Sequence, residues 1–106
     1  MVITTTESLP GRRITAVKGV AVGSTVRTKN IGKDIGAGFK SLVGGELKSY
    51  SAMLVEARSE ALSRMEAQAT ELGADAVVNL RFMTSAVASG ASEILAYATA
   101  VTAEPV

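Results

Sequence analysis

Ala61-Leu-Ser-Arg-Met-Glu-Ala-Gln-Ala-Thr-Glu-Leu-Gly-Ala-Asp-Ala-Val-Val-Asn-Leu-Arg-Phe82 decides the fold, because the hydrophobic period changes inside it. Up to Leu72 the apolar residues Ala61, Met65, Ala69 and Leu72 recur at helical spacing. The stripe runs back through Ala57 and Leu54 to Tyr50, which predicts an amphipathic helix over residues 48–72. Glu56, Glu60, Ser63 and Arg64 lie mostly off the stripe, and Glu60 precedes Arg64 in the favourable i, i+4 order. Gly73 is suited to the left-handed residue that ends such a helix. Beyond it the period drops to two and predicts a strand over 76–85, with Ala76, Val78, Leu80 and Phe82 on one face. Val77, Asn79, Arg81 and Met83 fall on the other.

Working outward, Ser89-Gly90 predicts a hairpin turn into a strand over 93–102. One face of that strand is Ile94, Ala96, Ala98 and Ala100, small enough for a helix to approach closely. Towards the N-terminus, residues 13–27 are rich in Val, Ile and Thr. Their larger apolar members, Ile14, Val20, Val22 and Val26, occupy even positions together with Ala16, and Gly19 and Gly23 sit on the odd face. The length of this run predicts a bulge or bend near Gly19. A short strand over 2–5 and a turn at Leu9-Pro10-Gly11 precede it. Between the long strand and the long helix, Ile31, Ile35, Phe39 and Leu42 predict a second, short helix ending at Gly44-Gly45. Gly36 and Gly38 weaken it by about 1 kcal/mol each relative to Ala, so a neighbour must support it.

A strand–helix–strand unit crosses over right-handed and leaves its two strands parallel. The last strand can then pair antiparallel with both if it lies between them. The expected fold is α+β: a two-layer sandwich with a β-α-β-β core, a mostly antiparallel sheet, and a short extra strand and helix. The 106 residues make one domain, 1–106.

Composition excludes several function classes. There is no Cys and no His. Disulfides, thiolate chemistry, Cys/His zinc sites and histidine acid–base catalysis therefore fall away. Nothing in the N-terminal residues resembles a secretory leader, and no apolar run is long enough to span a bilayer, so a cytoplasmic location is expected. Hydrophobic residues reach 47%, mostly as Ala and Val, which suggests a core continued across subunit contacts. Charge is uneven. Residues 12–48 hold eight basic side chains against two acids, net +6, whereas residues 49–106 hold three against seven, net −4. The basic half can face the acidic half of a neighbouring subunit, or form an anionic-surface site through Arg27, Lys29, Lys33, Lys40 and Lys48.

The glycines of 32–38 do not make a phosphate loop. Gly32, Gly36 and Gly38 precede Lys40-Ser41 without the G-x-x-x-x-G-K-[ST] order, and Ser41 stands where G-x-G-x-x-G needs its last glycine. Glu56 and Glu60, four apart on the long helix, with Asp75 near its end, are candidate oxygen ligands for a divalent ion. Acids on a helix more commonly form a solvated face. Lys40-Ser41 and Lys48-Ser49 lack the context of a catalytic pair. No catalytic set and no cofactor site emerges, and the chain is expected not to be an enzyme.

Gly19-Val-Ala-Val-Gly23, Asp34, Gly44-Gly-Glu46, Tyr50, Glu56-Ala-Arg58, Leu72-Gly-Ala-Asp-Ala-Val-Val78 and Ala96-Tyr-Ala-Thr-Ala-Val101 together resemble the YbjQ family over most of the chain. The resemblance implies a dodecin-like β-α-β-β core and a homopentameric ring in which short extra strands help join subunits. The family also carries a heavy-metal-binding label. This chain departs from the family where many relatives carry acids, having Asn79-Leu-Arg-Phe-Met83 instead. The expected partner is therefore a second copy of the chain, with nucleic acid and membrane surfaces disfavoured. Arg27, Lys29, Lys33, Gly36, Gly38, Phe39, Lys40, Asn79 and Arg81 are the candidate interface residues.

Overall fold

The computed structural model describes residues 1–28 and 45–106, apart from the side chains of 45–50. The predicted short helix, and with it Lys29, Lys33, Gly36, Gly38, Phe39 and Lys40, lies outside the described residues. The elements are β1 (Val2–Ile3), β2 (Arg12–Thr28), α1 (Gly45–Glu71), β3 (Ala76–Ala88) and β4 (Ala91–Pro105). They form a four-stranded sheet in the order β1-β3-β4-β2, with one helix packed on it. β4 is antiparallel to both β2 and β3, and β1 joins β3 in parallel. This is the expected α+β sandwich with its C-terminal strand between the two crossover strands. No helix among the described residues is long and apolar enough to cross a membrane.

α1 packs through a strict four-residue repeat. Ala57, Ala61, Met65 and Ala69 are fully buried, and Leu54 and Leu72 extend the stripe at its two ends. The helix ends in a double hydrogen-bonded turn. Gly73 N–H donates to Thr70 O at 3.0 Å, and Ala74 N–H to Ala69 O at 3.1 Å. Gly73 adopts φ +81°, the left-handed conformation such a turn requires. Gly90, with φ +75°, turns the β3–β4 hairpin.

The helix lies over β2 and β4, and there the facing residues of the sheet are small. Ala21 pairs with Ala98, and Gly23 with Ala96, in the β2–β4 ladder. All four join α1 in the main packing layer or line it, with Ile94, Ala100, Val77 and Leu80. Gly23 meets the helix most closely. A Cβ there would collide with Met65 N, Ala61 O and the Arg64 carbonyl carbon, all backbone atoms of α1. On the opposite side of the sheet, Leu9 covers Ala76, Val78 and Val101 in a smaller cluster.

The structure decides the facing of β2, and the reading of β3 needs correction. In β2 the even positions hold the larger apolar residues, yet the odd residues Ala21, Gly23 and Thr25 face the helix. Val20, Val22 and Val26 are 64%, 40% and 56% exposed. The register does slip around Gly19, as expected, and also between Ile14 and Ala16. In β3 the register shifts between Val78 and Arg81, and Asn79 has φ +56°. Asparagine tolerates this left-handed conformation better than most residues. The bulge moves Leu80 and Phe82 onto the same face as Val77, and Arg81 and Met83 onto the face of Val78. The alternation predicted for residues 76–83 is therefore interrupted at Asn79.

Candidate functional site

Two features stand out from the packed scaffold. The first is a charged cluster where α1 crosses β2. β2 places Thr25 and Arg27 on its helix side, and α1 brings Glu60 over them. Glu60 Oε2 lies 2.5 Å from an Arg27 guanidinium nitrogen, and Glu60 Oε1 lies 2.6 Å from Arg64. Thr25 Oγ1 also donates to Glu60 Oε1, at 3.2 Å. Glu56 stands farther out, 3.6 Å from Arg27. The side chains of Arg27 and Glu60 are 24% and 35% exposed, whereas those of Glu56 and Arg64 are 72% and 56% exposed, so only the inner pair is partly shielded from water. Hydrogen bonds to charged groups are stronger than neutral ones, and here three donors converge on one carboxylate.

The second feature is the sheet surface turned away from the helix. Across the ladder, Val20 lies opposite Thr99, Val22 opposite Tyr97, Ser24 opposite Leu95 and Val26 opposite Glu93. Beyond β4, Tyr97 meets Arg81 and Leu95 meets Met83. Val22, Val26, Tyr97 and Met83 are all exposed there. Leu9 covers the neighbouring part of this face, and the cover stops short of these residues.

The two edges of the sheet are treated differently. On the outer edge of β2, the Gln68 side-chain carbonyl accepts from Val22 N–H, and Arg64 donates to Ser24 O at 2.6 Å. Helix side chains thus occupy backbone groups that another strand would use. On β3, the N-terminal segment pairs as far as Leu80: Asn79 N–H donates to Thr6 O and Leu80 N–H to Thr4 O, both at 2.9 Å. From residue 81 to 88 the outer edge of β3 has no strand beside it among the described residues. Those residues are all exposed.

The predicted candidates separate on this geometry. Arg27 belongs to the Glu60 cluster within the chain. Asn79 forms the bulge, and Arg81 donates to Thr5 O at 3.0 Å and Leu80 O at 2.8 Å, so their neighbours come from the same chain. Glu56 and Glu60 come together, but around Arg27. Asp75 is engaged elsewhere, accepting from Ala103 N–H at 3.1 Å. Among the described residues, no three Asp or Glu side chains gather closely enough to share an ion. Sequence reasoning missed the pairing of Arg27 with Glu60, 33 positions apart, because no local spacing announces it. It also missed the exposed valine row, whose signal was the glycine at position 23 on the opposite face.

The comparisons with known proteins agree on the family. A family model described as "Putative heavy-metal-binding" matches residues 1–104. A UPF0145 protein of Methanoculleus marisnigri is 58% identical over 105 residues, covering 99% of this chain and 98% of the relative. A UPF0145 protein of Thermotoga petrophila is 54% identical over 106 residues, the whole of both chains. A crystal structure of a protein of unknown function from Pediococcus pentosaceus, in the DUF74 family, superposes with TM-score 0.66 at 19% identity over 98% of each chain. That likeness carries the fold alone. With the family model spanning nearly its full length and relatives more than half identical throughout, the chain belongs to the YbjQ family.

Proposed function

We propose that this chain is a self-associating cytoplasmic module, an assembly or binding unit rather than an enzyme. Its partner is a second copy of itself, and the assembly is the pentamer that the family resemblance implies. One observation carries the reading: a sheet face on which, among the described residues, Val20, Val22, Val26, Tyr97 and Met83 are exposed beside the edge of residues 81–88, which no described strand pairs. Exposed apolar side chains grouped in this way, with polar residues among them, suit an interaction surface.

The contrast between the edges supports the same reading. Sheet edges that stay free are usually blunted by charges, prolines or covering side chains. The β2 edge is covered in this way, by Gln68 and Arg64. After Arg81, β3 runs Phe-Met-Thr-Ser-Ala-Val-Ala with no charge and no proline. A second copy offers a surface of the same apolar character. The absence of Cys and His supports a non-enzymatic role, since no thiolate nucleophile and no imidazole acid–base group is available.

Light scattering coupled to gel filtration tests the proposal. The expected mass at micromolar protomer is a multiple of 10.9 kDa, five-fold for the pentamer. A mass of one chain under those conditions overturns it.

A further inference from the structure

The family description raises heavy-metal chemistry, and the donors of this chain can be weighed against it. Soft and borderline metals are held chiefly by thiolate and imidazole. This chain has neither Cys nor His. Thioether sulfur does not replace them. Met65 is fully buried in the layer under α1, whereas Met83 stands on the far face of the sheet. Of the four methionines, these two lie on opposite faces and cannot converge on one ion, Met1 precedes β1 and Met53 lies on α1. The residues present do not fit a soft metal.

Oxygen donors remain, and their arrangement answers a different need. We infer that the Glu56–Glu60 pair is the seat of an internal cation, the Arg27 guanidinium, and that this chain takes up no heavy metal there. Glu60 offers about four lone-pair positions. Three donors already use them: Arg27 at 2.5 Å, Arg64 at 2.6 Å and Thr25 at 3.2 Å. Glu56 faces the same guanidinium at 3.6 Å. The nearby carbonyl of Ser24 already accepts from Arg64. A divalent ion would have to sit beside two cationic guanidinium groups, those of Arg27 and Arg64. The cluster ties α1 to β2 by charge beside the close contact at Gly23, which involves the backbone of Ala61, Arg64 and Met65.

The inference is independent of self-association, and one set of native mass spectra separates the two. The spectra of the full chain with Zn²⁺, Cd²⁺ or Mn²⁺ report assembly mass and bound metal together. No saturable uptake is expected at micromolar metal, whatever the assembly mass. Saturable uptake by the unaltered chain, lost in Glu60→Gln, would overturn the inference. Arg27→Met removes the cation between the two carboxylates, frees Glu56 and leaves Glu60 to Arg64 and Thr25, so Mn²⁺ uptake is expected to rise by about tenfold over the unaltered chain. Arg27→Lys keeps a cation and is expected to behave as the unaltered chain. A folded Arg27→Met protein with unchanged Mn²⁺ uptake, or an Arg27→Lys protein that gains it, would also overturn the inference. Circular dichroism of each variant confirms the fold, and if Arg27→Met does not fold, Arg27→Gln takes its place in the same comparison.

Discussion

The two faces of β2 hold opposite kinds of residue, and the smaller ones are inside. Towards the helix stand Ala21, Gly23 and Thr25, all buried; away from it stand Val20, Val22 and Val26, all exposed. Burial by hydrophobicity alone would choose the valines. Distance decides otherwise. α1 approaches β2 so closely that its backbone at residues 61–65 occupies the place of a side chain at Gly23. Only small residues fit in such a gap, and the alanines of β4 and α1 complete the same layer. The valines are left on the other face, where Leu9 covers Ala76, Val78 and Val101 but not the valines. Among the described residues, one face is therefore packed and the other exposes its apolar row.

The sharpest way to break this comparison is at Gly23. Gly23→Ala places a methyl group against helix backbone, which cannot rotate away. We expect a loss of ~3 kcal/mol or more, at the upper end of what overpacking costs. Urea denaturation would show it as a midpoint collapse, and a loss within experimental error would remove the close-contact account of the fold. Met65→Ala, on the helix side of the same layer, should cost about 3 kcal/mol by leaving a cavity. The same mutation on the open face, Met83→Ala, should leave the midpoint of the isolated fold nearly unmoved.

Smaller effects distinguish the partly shielded Arg27–Glu60 pair from pairs in water. Glu60→Gln keeps the shape and removes the charge, and should lower stability by about 1–2 kcal/mol in urea denaturation. Arg13→Ala breaks the exposed pair with Glu104, whose side chains are 68% and 53% exposed. It should cost no more than ~0.5 kcal/mol, and less in high salt. Equal losses in the two variants would contradict the distinction.

Much of the fold was legible from local signals. Gly73 stops the helix, Ser89-Gly90 makes the turn, and the alanines of β4 face the helix as their size suggested. The placement of β4 between β2 and β3 followed from crossover handedness. The facing of β2 was not legible from the pattern of apolar residues. It depends on how near the helix comes, a tertiary distance whose one sign in the sequence is a glycine on the odd face. The bulge at Asn79 escaped because alternation across residues 76–83 is unbroken in sequence, while the N-terminal segment holds the bulged residues through Thr4 and Thr6. For the candidate site, the acids Glu56 and Glu60 were found and their occupant was not. In the sequence Arg27 reads as a cation for a neighbouring subunit or an anionic surface, whereas its partners lie on another element of the same chain.

The central claim is that the exposed valine face is the surface on which copies of the chain meet. Light scattering on the intact chain and on Val20→Thr/Val22→Thr/Val26→Thr, at equal protomer concentration, tests it most directly. Threonine keeps the β-branched shape and suits a strand, while removing the apolar surface. The unaltered chain should show a multiple of 10.9 kDa, and the folded triple variant should shift towards a single chain. An unaltered chain of monomer mass, or a folded triple variant that assembles as before, would contradict the claim.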